Sequence, residues 1–564
     1  MQELLNFISS IFLLLLGTPL HSDKQIESDL QPVTVTPSGT IFGLYNVTRR
    51  GRRFESYRGI RYAEPPIGDL RFQPPKMIDK YESPVNATRD GHVCPQAWNN
   101  CCRTPPYEDM DEDCLFMNVY TPLKKDRKTL LPVIFFIHQS AFLAKTARSD
   151  IFEPNYLLDR DIVLVTFNYR LATLGFLSTG DKIAPGNNAM KDQVIALRWV
   201  QKNIRAFGGD PNSVTISGCS SGSVSVIAHM VSPMSKGLFH RAIAISGSPT
   251  KIDKMPSDQY TWAEKQARLL DCPTTNSSVI VACLKTKPWR DFARTYDKFY
   301  VFDRNPIHQW DMVVENDFGQ ERFLAIDLME AIRQGNMTHV PIIINQNTAE
   351  FFSMAPPIIT NSTILKQMNE DWEMMASLAF LLPKTNLKKA LELLRTVYLQ
   401  NRPLYLNSPE SLERLGSLYC DSSVAFPVHR LANLMCRHST QPVWYFFFTY
   451  VGECGYYISP YTGKPDRAVH QDETLYLFPS PYYCEQIGLI GRDAVIVDRM
   501  TAMWYNFAKY GDPNPIDADL GLYWPPMTPD NRTYLKISDD LTLHKNLREK
   551  RFELWEQLHP IDYN

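Results

Sequence analysis

The chain has 564 residues, of which 44% are hydrophobic and 21% charged, and its formal net charge is −2. This balance is typical of a folded globular protein, and it excludes the basic surface by which proteins bind nucleic acid. No run rich in Gly, in Ser or in charges of one sign divides the sequence. One large domain over residues 23–564 is therefore predicted, although the length could hold several.

The first 22 residues are predicted to be a signal peptide. Leu4–Gly17 is mostly apolar, and polar residues follow from His21. This run is shorter than the roughly 20 residues that a membrane-spanning helix needs. The segment carries Glu3 and no Lys or Arg, which is atypical, so an uncleaved membrane anchor is the alternative. The sequence holds no second apolar run of spanning length, and no transmembrane segment is expected after signal removal.

Eleven cysteines and six N-glycosylation sequons favour passage through an oxidising, glycosylating compartment. The cysteines do not follow the Cys/His spacings of a zinc site, so no metal is predicted. Their odd number leaves at least one free thiol or intermolecular bond. A secreted, extracellular glycoprotein is expected, and its oligomeric state is not determined by the sequence. The sequons start at Asn46, Asn86, Asn276, Asn336, Asn361 and Asn531.

Six short runs rich in β-branched and aromatic residues are predicted to be strands. Because they are continuously apolar rather than alternating, they favour a parallel sheet that is covered on both faces. The six runs are Val133–Ile137, Ile162–Phe167, Val214–Ser217, Ala242–Ile245, Val340–Ile344 and Val443–Thr449.

A helix is predicted between the second and third of these strands. Apolar residues recur every three or four positions from Val194 to Phe207, and Gly208-Gly209 ends the pattern. Asp210-Pro211-Asn212 then predicts a turn into the next strand. Strand, helix and strand in this order predict a right-handed parallel crossover, hence an α/β fold with a mostly parallel central sheet flanked by helices. Residues from about 250 to 335 and 355 to 435 are interpreted as helical insertions over the sheet edge.

The strand at Val214–Ser217 leads directly into Gly218-Cys219-Ser220-Ser221-Gly222, a G-x-S-x-G pattern. Between a strand and a helix, this pattern makes a tight turn that exposes the serine at a helix N-terminus. Glycine is needed on both sides because a side chain would clash. The pattern alone is weak and also occurs in surface turns, but its context indicates that Ser220 is a nucleophile.

The sequence around Ser220, ALRWVQKNIRAFGGDPNSVTISGCSSGSVS, resembles the core of type-B carboxylesterases, which include cholinesterases and insect juvenile hormone esterases. The resemblance extends over roughly residues 35 to 560 and implies an insect-like secreted serine esterase of α/β-hydrolase fold, acting on a small-molecule ester. Further matching segments are YRGIRYAEPPIGDLRFQPP at 57–75, EDCLFMNVY at 112–120, NYRLATLGFLSTGD at 168–181 and WYNFAKYGDPNP at 504–515.

The resemblance completes a catalytic triad. A serine nucleophile needs a base, and the base needs a carboxylate to orient it. In α/β-hydrolases the order is Ser, acid, His. Glu350 aligns with the acid of the family's G-x-x-x-D-E-G loop, although Phe351 replaces the last glycine. His470 aligns with the base of its H-x-x-[DE] segment, and the mechanism requires no metal or organic cofactor.

The oxyanion hole departs from the family pattern. Relatives have H-G-G-G-F or H-G-G-A-F where this chain has His138-Gln139-Ser140-Ala141-Phe142. Thus Gln139 and Ser140 replace glycines, and Lys145 or a neighbour replaces another. A positive φ at a non-glycine residue costs roughly 1–3 kcal/mol. The expected backbone donors to the oxyanion are Ser140, Ala141 and Ser221.

Three functional readings therefore stay open. The complete triad favours a carboxylic ester hydrolase that is slow or specialised. The altered oxyanion loop favours a catalytically impaired binding or adhesion protein that keeps the fold. A sequestering protein that acylates once and turns over slowly is the third. Choline esters are disfavoured, because Thr104 stands where a cholinesterase has the tryptophan that holds the quaternary ammonium.

The cysteines fall into three groups. Cys219 stands where relatives have Glu or Gln, and it is interpreted as a buried small residue rather than as a second nucleophile. The resemblance implies two disulfides, Cys94–Cys114 and Cys272–Cys283. A Cys454–Cys484 pair is possible but undetermined, and the pairing of Cys101, Cys102, Cys420 and Cys436 is not assigned.

Overall fold

The computed structural model describes residues 31–97, 105–123, 129–250, 254–307, 309–380, 382, 386–514 and 520–563. The predicted signal peptide, residues 1–22, lies outside these ranges. Within them, none of the helices combines the length and the apolar character that crossing a membrane requires.

The described residues form fourteen β-strands, most of them short and largely buried. They are β1 (Val33–Thr36), β2 (Gly39–Phe42), β3 (Leu44–Val47), β4 (Arg53–Arg61), β5 (Val85–Asn86), β6 (Phe116–Pro122), β7 (Leu131–Ile137), β8 (Val163–Phe167), β9 (Gly209–Cys219), β10 (Arg241–Ile245), β11 (Ile342–Asn347), β12 (Val443–Phe448), β13 (Thr533–Ile537) and β14 (Leu541–Lys545).

The same part of the chain forms fifteen α-helices. They are α1 (Ala172–Phe176), α2 (Asn188–Asn203), α3 (Ser221–Val231), α4 (Tyr260–Leu269), α5 (Ser277–Thr286), α6 (Trp289–Thr295), α7 (Leu328–Arg333), α8 (Ala355–Thr360), α9 (Ser362–Glu370), α10 (Trp372–Ala379), α11 (Leu387–Val397), α12 (Pro409–Cys420), α13 (Phe426–His438), α14 (Arg492–Tyr510) and α15 (Glu549–Leu558).

Eleven strands form one sheet in the order β14-β13-β12-β11-β10-β9-β7-β8-β6-β4-β3, and β1, β2 and β5 form a small second sheet. The strands from β13 to β8 in this order run parallel to one another. Antiparallel strands extend the sheet at both ends. All six predicted strands lie in the parallel part, as β7 to β12, so the predicted central parallel sheet is confirmed.

Strand β7 shows why these strands are apolar throughout. Val133, Phe135 and Ile137 pack on one face of the sheet in the same cluster as α2 and α3. Ile134 and Phe136 pack on the other face with α14. Because successive side chains of a strand point to opposite faces, a sheet covered by helices on both sides needs apolar residues at every position.

The strand that leads to Ser220 begins earlier than predicted. Leu131 of β7 lies opposite Gly209, whereas Val133 lies opposite Val214. The predicted turn at residues 210–212 is therefore a bulge inside β9 rather than a turn before it. A hydrogen bond of 3.0 Å from Asn212 N to Asp210 Oδ1 lies within the bulge. Bulges of this kind accommodate extra residues while the ladder continues on either side.

The two segments predicted as insertions contain helices α4–α7 and α8–α13. Helices α8–α12 share an apolar cluster with α15 that is separate from the clusters on the two sheet faces. A π-helical turn, Asp421–Ala425, connects α12 to α13. Such turns occur frequently at functional sites, and this one brings Ser423 and Val424 to a cavity beside Ser220.

A buried ion pair fastens the first insertion to α2. Lys191 Nζ lies 2.6 Å from Glu315 Oε2, and both side chains are almost fully buried. Glu315 Oε1 also accepts hydrogen bonds from Asn187 Nδ2 at 3.0 Å and from Phe323 N at 2.8 Å. One carboxylate thus satisfies three donors that would otherwise be buried without a partner.

We expect Glu315→Ala to lower the free energy of unfolding by about 3–5 kcal/mol, because it leaves the Lys191 ammonium buried and unpaired. Glu321→Ala is the matched control, since its carboxylate is 70% exposed opposite Arg198 and such pairs contribute only about 0–1 kcal/mol. Thermal unfolding at one fixed scan rate compares the variants. Equal unfolding temperatures for the two would contradict the assignment.

Candidate active site

Ser220 lies in the turn between β9 and α3, with φ 56° and ψ −118°. This conformation is strained for a residue other than glycine, and such strain concentrates at functional sites. The Ser220 N–H donates to the Ile245 carbonyl oxygen at 2.8 Å, which fastens the turn to β10. The predicted strand–turn–helix context of the serine is therefore present.

Three glycines make room for this turn. A Cβ on Gly218 would lie 2.4 Å from the Gly222 carbonyl oxygen, and one on Gly222 would lie 2.1 Å from that of Ile137. A Cβ on Gly247 would lie 2.2 Å from the Ser220 carbonyl oxygen. The G-x-S-x-G pattern identifies the first two glycines. Gly247 follows a different strand, and its contact with Ser220 exists only in the folded chain.

Glu350 and His470 are in direct contact. His470 Nδ1 donates to Glu350 Oε2 at 2.5 Å. The carboxylate is fully buried, and its other oxygen accepts from Ser246 Oγ at 2.8 Å and from Asn347 N at 2.6 Å. A proton on Nδ1 leaves Nε2 of the neutral ring as a lone-pair acceptor.

The loops that carry these two residues run side by side. Glu350 lies in the turn after β11, and His470 lies in the connection that follows β12. Ala349 N donates to the Ala468 carbonyl oxygen at 2.9 Å, and Ala349 forms a parallel bridge with Val469. This backbone pairing holds the acid beside the imidazole across 120 residues of sequence.

A second buried carboxyl group, that of Glu473, lies close to the Glu350–His470 pair. Its Oε1 accepts from Ser246 Oγ at 3.3 Å, and its Oε2 accepts from Asn347 Nδ2. Burial, together with the charge of Glu350, raises the pKa of Glu473 to about 7. Protonation of Glu473 below that pH relieves the repulsion between two carboxylates in one buried site.

The other ring nitrogen of His470 is available. Nε2 is buried and has no hydrogen-bond partner among the described residues. Phe351 stacks on the imidazole, with ring centroids 4.3 Å apart and planes 26° apart. Phe351 has φ 49°, the left-handed conformation that the family's glycine adopts easily and a phenylalanine adopts only with strain.

Two small cavities flank Ser220. One of about 30 Å³ is bounded by Ala141, Ser221 and Val424, among others. The second, of about 100 Å³, is bounded by Ser140, Ala141, Arg304, Met354 and Gln471, among others. Phe351 lines both cavities. The structure thus brings all three expected backbone donors to the walls of cavities that Ser220 shares.

The oxyanion loop adopts left-handed conformations without glycine. Ser140, Ala141 and Phe142 have φ of 91°, 53° and 63°, and Lys145 has φ of 80°. The strain expected at Gln139 is absent, since its φ is not positive. The positive φ values begin one residue later, at Ser140, so the strain falls on residues 140–142 and on Lys145.

Side chains outside the loop hold it in this shape. Lys145 N donates to Gln96 Oε1 at 2.8 Å, and Gln96 Nε2 donates to the Lys145 carbonyl oxygen at 2.9 Å. Tyr169 stacks on His138 with ring centroids 4.3 Å apart, and its hydroxyl donates to the His138 carbonyl oxygen at 2.9 Å. Burial lowers the pKa of His138 to about 3, so this ring is neutral and serves as packing.

The cysteines are placed as follows. The structure contains disulfides Cys94–Cys114 and Cys272–Cys283, the two pairs that the family resemblance implies, and it also contains Cys454–Cys484. Cys219 is a fully buried free thiol, 3.8 Å from Glu473 Oε1.

Thr104, Cys101 and Cys102 lie outside the described residues. Five sequon asparagines are exposed and the sixth, Asn531, is partly exposed.

Sequence reasoning missed the residues that contact the Glu350 carboxylate or lie beside it. Ser246, Asn347 and Glu473 are ordinary polar residues in sequence, and only their distances to Glu350 and to one another reveal a role. A signal existed for Glu473, because it is the acidic member of the H-x-x-[DE] segment. Ser246 directly follows β10 and Asn347 ends β11, where polar side chains of such sheets meet ligands.

Comparison with known proteins finds relatives over almost the whole chain. A model of the carboxylesterase family matches residues 30–555. The chain is 33% identical to a juvenile hormone esterase of Tribolium castaneum, over 96% of this chain and 93% of that protein. It is 32% identical to a carboxylic ester hydrolase of Bombus ignitus, over 99% of this chain and 98% of that protein. Among solved structures it resembles juvenile hormone esterase from Manduca sexta with OTFP covalently attached, with a TM-score of 0.81. The two sequences are 26% identical, and the match covers 94% of this chain and 100% of that one.

We expect Cys219 to resist iodoacetamide in the folded protein. The thiol is fully buried, and burial with the nearby Glu473 charge raises its pKa well above the ordinary value. Raising the pH from 7 to 8.5 should therefore not increase its modification, because the thiolate forms only above the raised pKa. Mass spectrometry compares it with the partly exposed thiol of Cys436. Rapid labelling of Cys219 would instead support a reactive second nucleophile.

Proposed function

This chain belongs to the carboxylesterase family, and we propose that it cleaves carboxylic esters with Ser220 as nucleophile, His470 as general base and Glu350 as the carboxylate that orients the base. The likeness to the Manduca enzyme confirms the predicted α/β-hydrolase fold. The observation that carries the proposal is the 2.5 Å hydrogen bond from His470 Nδ1 to Glu350 Oε2 beside a strained serine turn.

The reaction proceeds in two chemical steps. Ser220 Oγ attacks the ester carbonyl carbon while His470 Nε2 takes its proton, and the imidazolium then protonates the leaving alcohol. Water, deprotonated by the same nitrogen, attacks the acyl-enzyme and releases the acid. The covalent OTFP in the Manduca structure supports a covalent intermediate in this family. Throughout, the Glu350 carboxylate stabilises the imidazolium by its hydrogen bond to Nδ1–H.

The negative oxygen of each tetrahedral intermediate is proposed to accept hydrogen bonds from the N–H groups of Ser140, Ala141 and Ser221. Each such donor contributes on the order of 10²–10³ in rate. The left-handed conformations of Ser140 and Ala141 support a preformed loop. We therefore propose an active esterase rather than an impaired binding protein. The slower turnover expected from the altered loop sequence stays a prediction.

The substrate is proposed to be an ester with a short acyl group. The smaller cavity, about 30 Å³, leaves room beside Ser220 for a short chain only. The larger one, about 100 Å³, has mostly apolar walls and a single charged side chain, Arg304, among its lining residues. Phe351 lines both cavities, so its ring is proposed to limit the size of the acyl group whichever cavity receives it.

The protein is proposed to be secreted. The apolar segment Leu4–Gly17, the exposed sequon asparagines and three disulfides support export through an oxidising compartment. Asn276 and Asn361 each cap a helix by accepting through Oδ1, which leaves Nδ2 available for a glycan.

A fluorophosphonate probe tests the triad. We expect it to label the wild-type protein at Ser220 and to leave Ser220→Ala unlabelled. His470→Ala should slow labelling by about 10²-fold or more, because the hydroxyl loses its base. Ser213→Ala, earlier in β9, is the control and should label normally. Folded wild-type protein that neither labels nor hydrolyses p-nitrophenyl acetate would move the assignment to the non-catalytic alternative.

Acyl-chain preference tests the role of Phe351. We expect the wild type to prefer p-nitrophenyl acetate to the hexanoate, and Phe351→Gly to shift this ratio of kcat/KM toward the hexanoate by about tenfold or more. Glycine accepts the left-handed φ without strain, so the fold should persist. Phe351→Tyr, which keeps the ring, should retain the wild-type ratio. An unchanged ratio in Phe351→Gly would show that other groups limit the acyl chain.

A further inference from the structure

A side-chain hydrogen bond joins the oxyanion loop to the loop that carries the base. Gln139 Nε2 donates to Gln471 Oε1 at 3.1 Å, although the two residues are 332 positions apart. Gln139 directly precedes the donor residue Ser140, and Gln471 directly follows His470. The bond therefore spans the two groups that must act on the same tetrahedral intermediate.

Neither glutamine is explained by stability alone. Gln139 is fully buried, and its Oε1 has no hydrogen-bond partner among the described residues. A buried acceptor without a partner costs free energy. Gln471 has φ 78°, a left-handed conformation that is strained for glutamine. Unpaired buried polar atoms and strained backbone conformations of this kind are expected at functional sites.

Each loop is otherwise anchored to its own surroundings. The oxyanion loop is held by hydrogen bonds from Gln96 to Lys145 and from Tyr169 to His138. The base loop is held by the bridge to Ala349 and by Asp472 Oδ2, which accepts from Val469 N at 2.8 Å. These anchors fix each loop within its own half of the site. The hydrogen bond between Gln139 and Gln471 joins the two loops directly, so it acts on the distance between them.

We propose that Gln139 and Gln471 form a clamp that sets the position of the oxyanion donors relative to His470 Nε2. The inference rests on the proposed esterase function and deepens it. Both are positioning residues, since they act through Ser140 and His470. A displacement of about 1 Å at a reacting group can cost on the order of 10²-fold in rate. The clamp therefore affects the chemical steps more than substrate binding.

A double-mutant cycle tests the clamp. Gln139→Met and Gln471→Met keep the length of each side chain but remove the bond. We expect each single variant to lower kcat on p-nitrophenyl acetate at least about tenfold, with KM within about twofold. The double variant should be no slower than the slower single variant, because the clamp is already broken. Fluorophosphonate labelling of Ser220 should slow in parallel.

A matched control separates positioning from folding. Gln346 is also buried, donates once, to the Tyr445 hydroxyl, and likewise has an Oε1 without a partner among the described residues. Gln346→Met should leave kcat unchanged. The thermal unfolding temperature of Gln139→Met should equal or exceed that of the wild type, since the change removes an unpaired buried oxygen.

Two results would overturn the clamp while leaving the esterase assignment intact: wild-type kcat in both single variants, or losses that multiply in the double variant. A loss of activity that follows a fall in unfolding temperature would also overturn it. A wild-type protein with neither labelling nor turnover would overturn the proposed function and the clamp together.

Discussion

The buried hydrogen bond between Glu350 and His470 is the contact around which the rest of the site is organised. It joins the turn after β11 to the connection after β12, and its length requires both backbones to be held within a fraction of an ångström. The parallel register of β10, β11 and β12 provides that precision, because the ends of adjacent strands are fixed by their ladders. The bridge between Ala349 and Val469 continues the pairing beyond the strands.

The environment of this contact is polar and yet buried. Ser246, Asn347 and Glu473 surround the Glu350 carboxylate, so almost every polar atom near it has a partner. A buried carboxylate that is so well solvated by fixed donors needs no reorganisation when the imidazole becomes charged. Cys219 lies at the edge of this network, in a place where relatives carry Glu or Gln. With a thiol at position 219, the side chain there adds no carboxyl group to those of Glu350 and Glu473.

The sequence predicted the sheet and the serine turn because these depend on local patterns, whereas the choice of Glu350 and His470 came from the family resemblance. Continuous apolar runs gave β7 to β12, and flanking glycines gave the turn at Ser220. It placed the strain of the oxyanion loop on both Gln139 and Ser140, and only the structure shows that Ser140 has the positive φ and Gln139 does not. The bond from Gln139 to Gln471 could not be predicted either, since no local rule relates residues so far apart in the chain.

The separate apolar cluster of the insertion helices has an evolutionary consequence. Helices α8 to α12 pack on one another and on α15, not on the sheet that carries the serine. Substitutions among them can therefore be compensated locally, while the strands that hold the reacting groups stay unchanged. Met354 belongs to the same cluster and lines the larger cavity, so this part of the cavity wall can change while the strands that hold the reacting groups do not. Related proteins can in this way keep one reaction and act on different substrates.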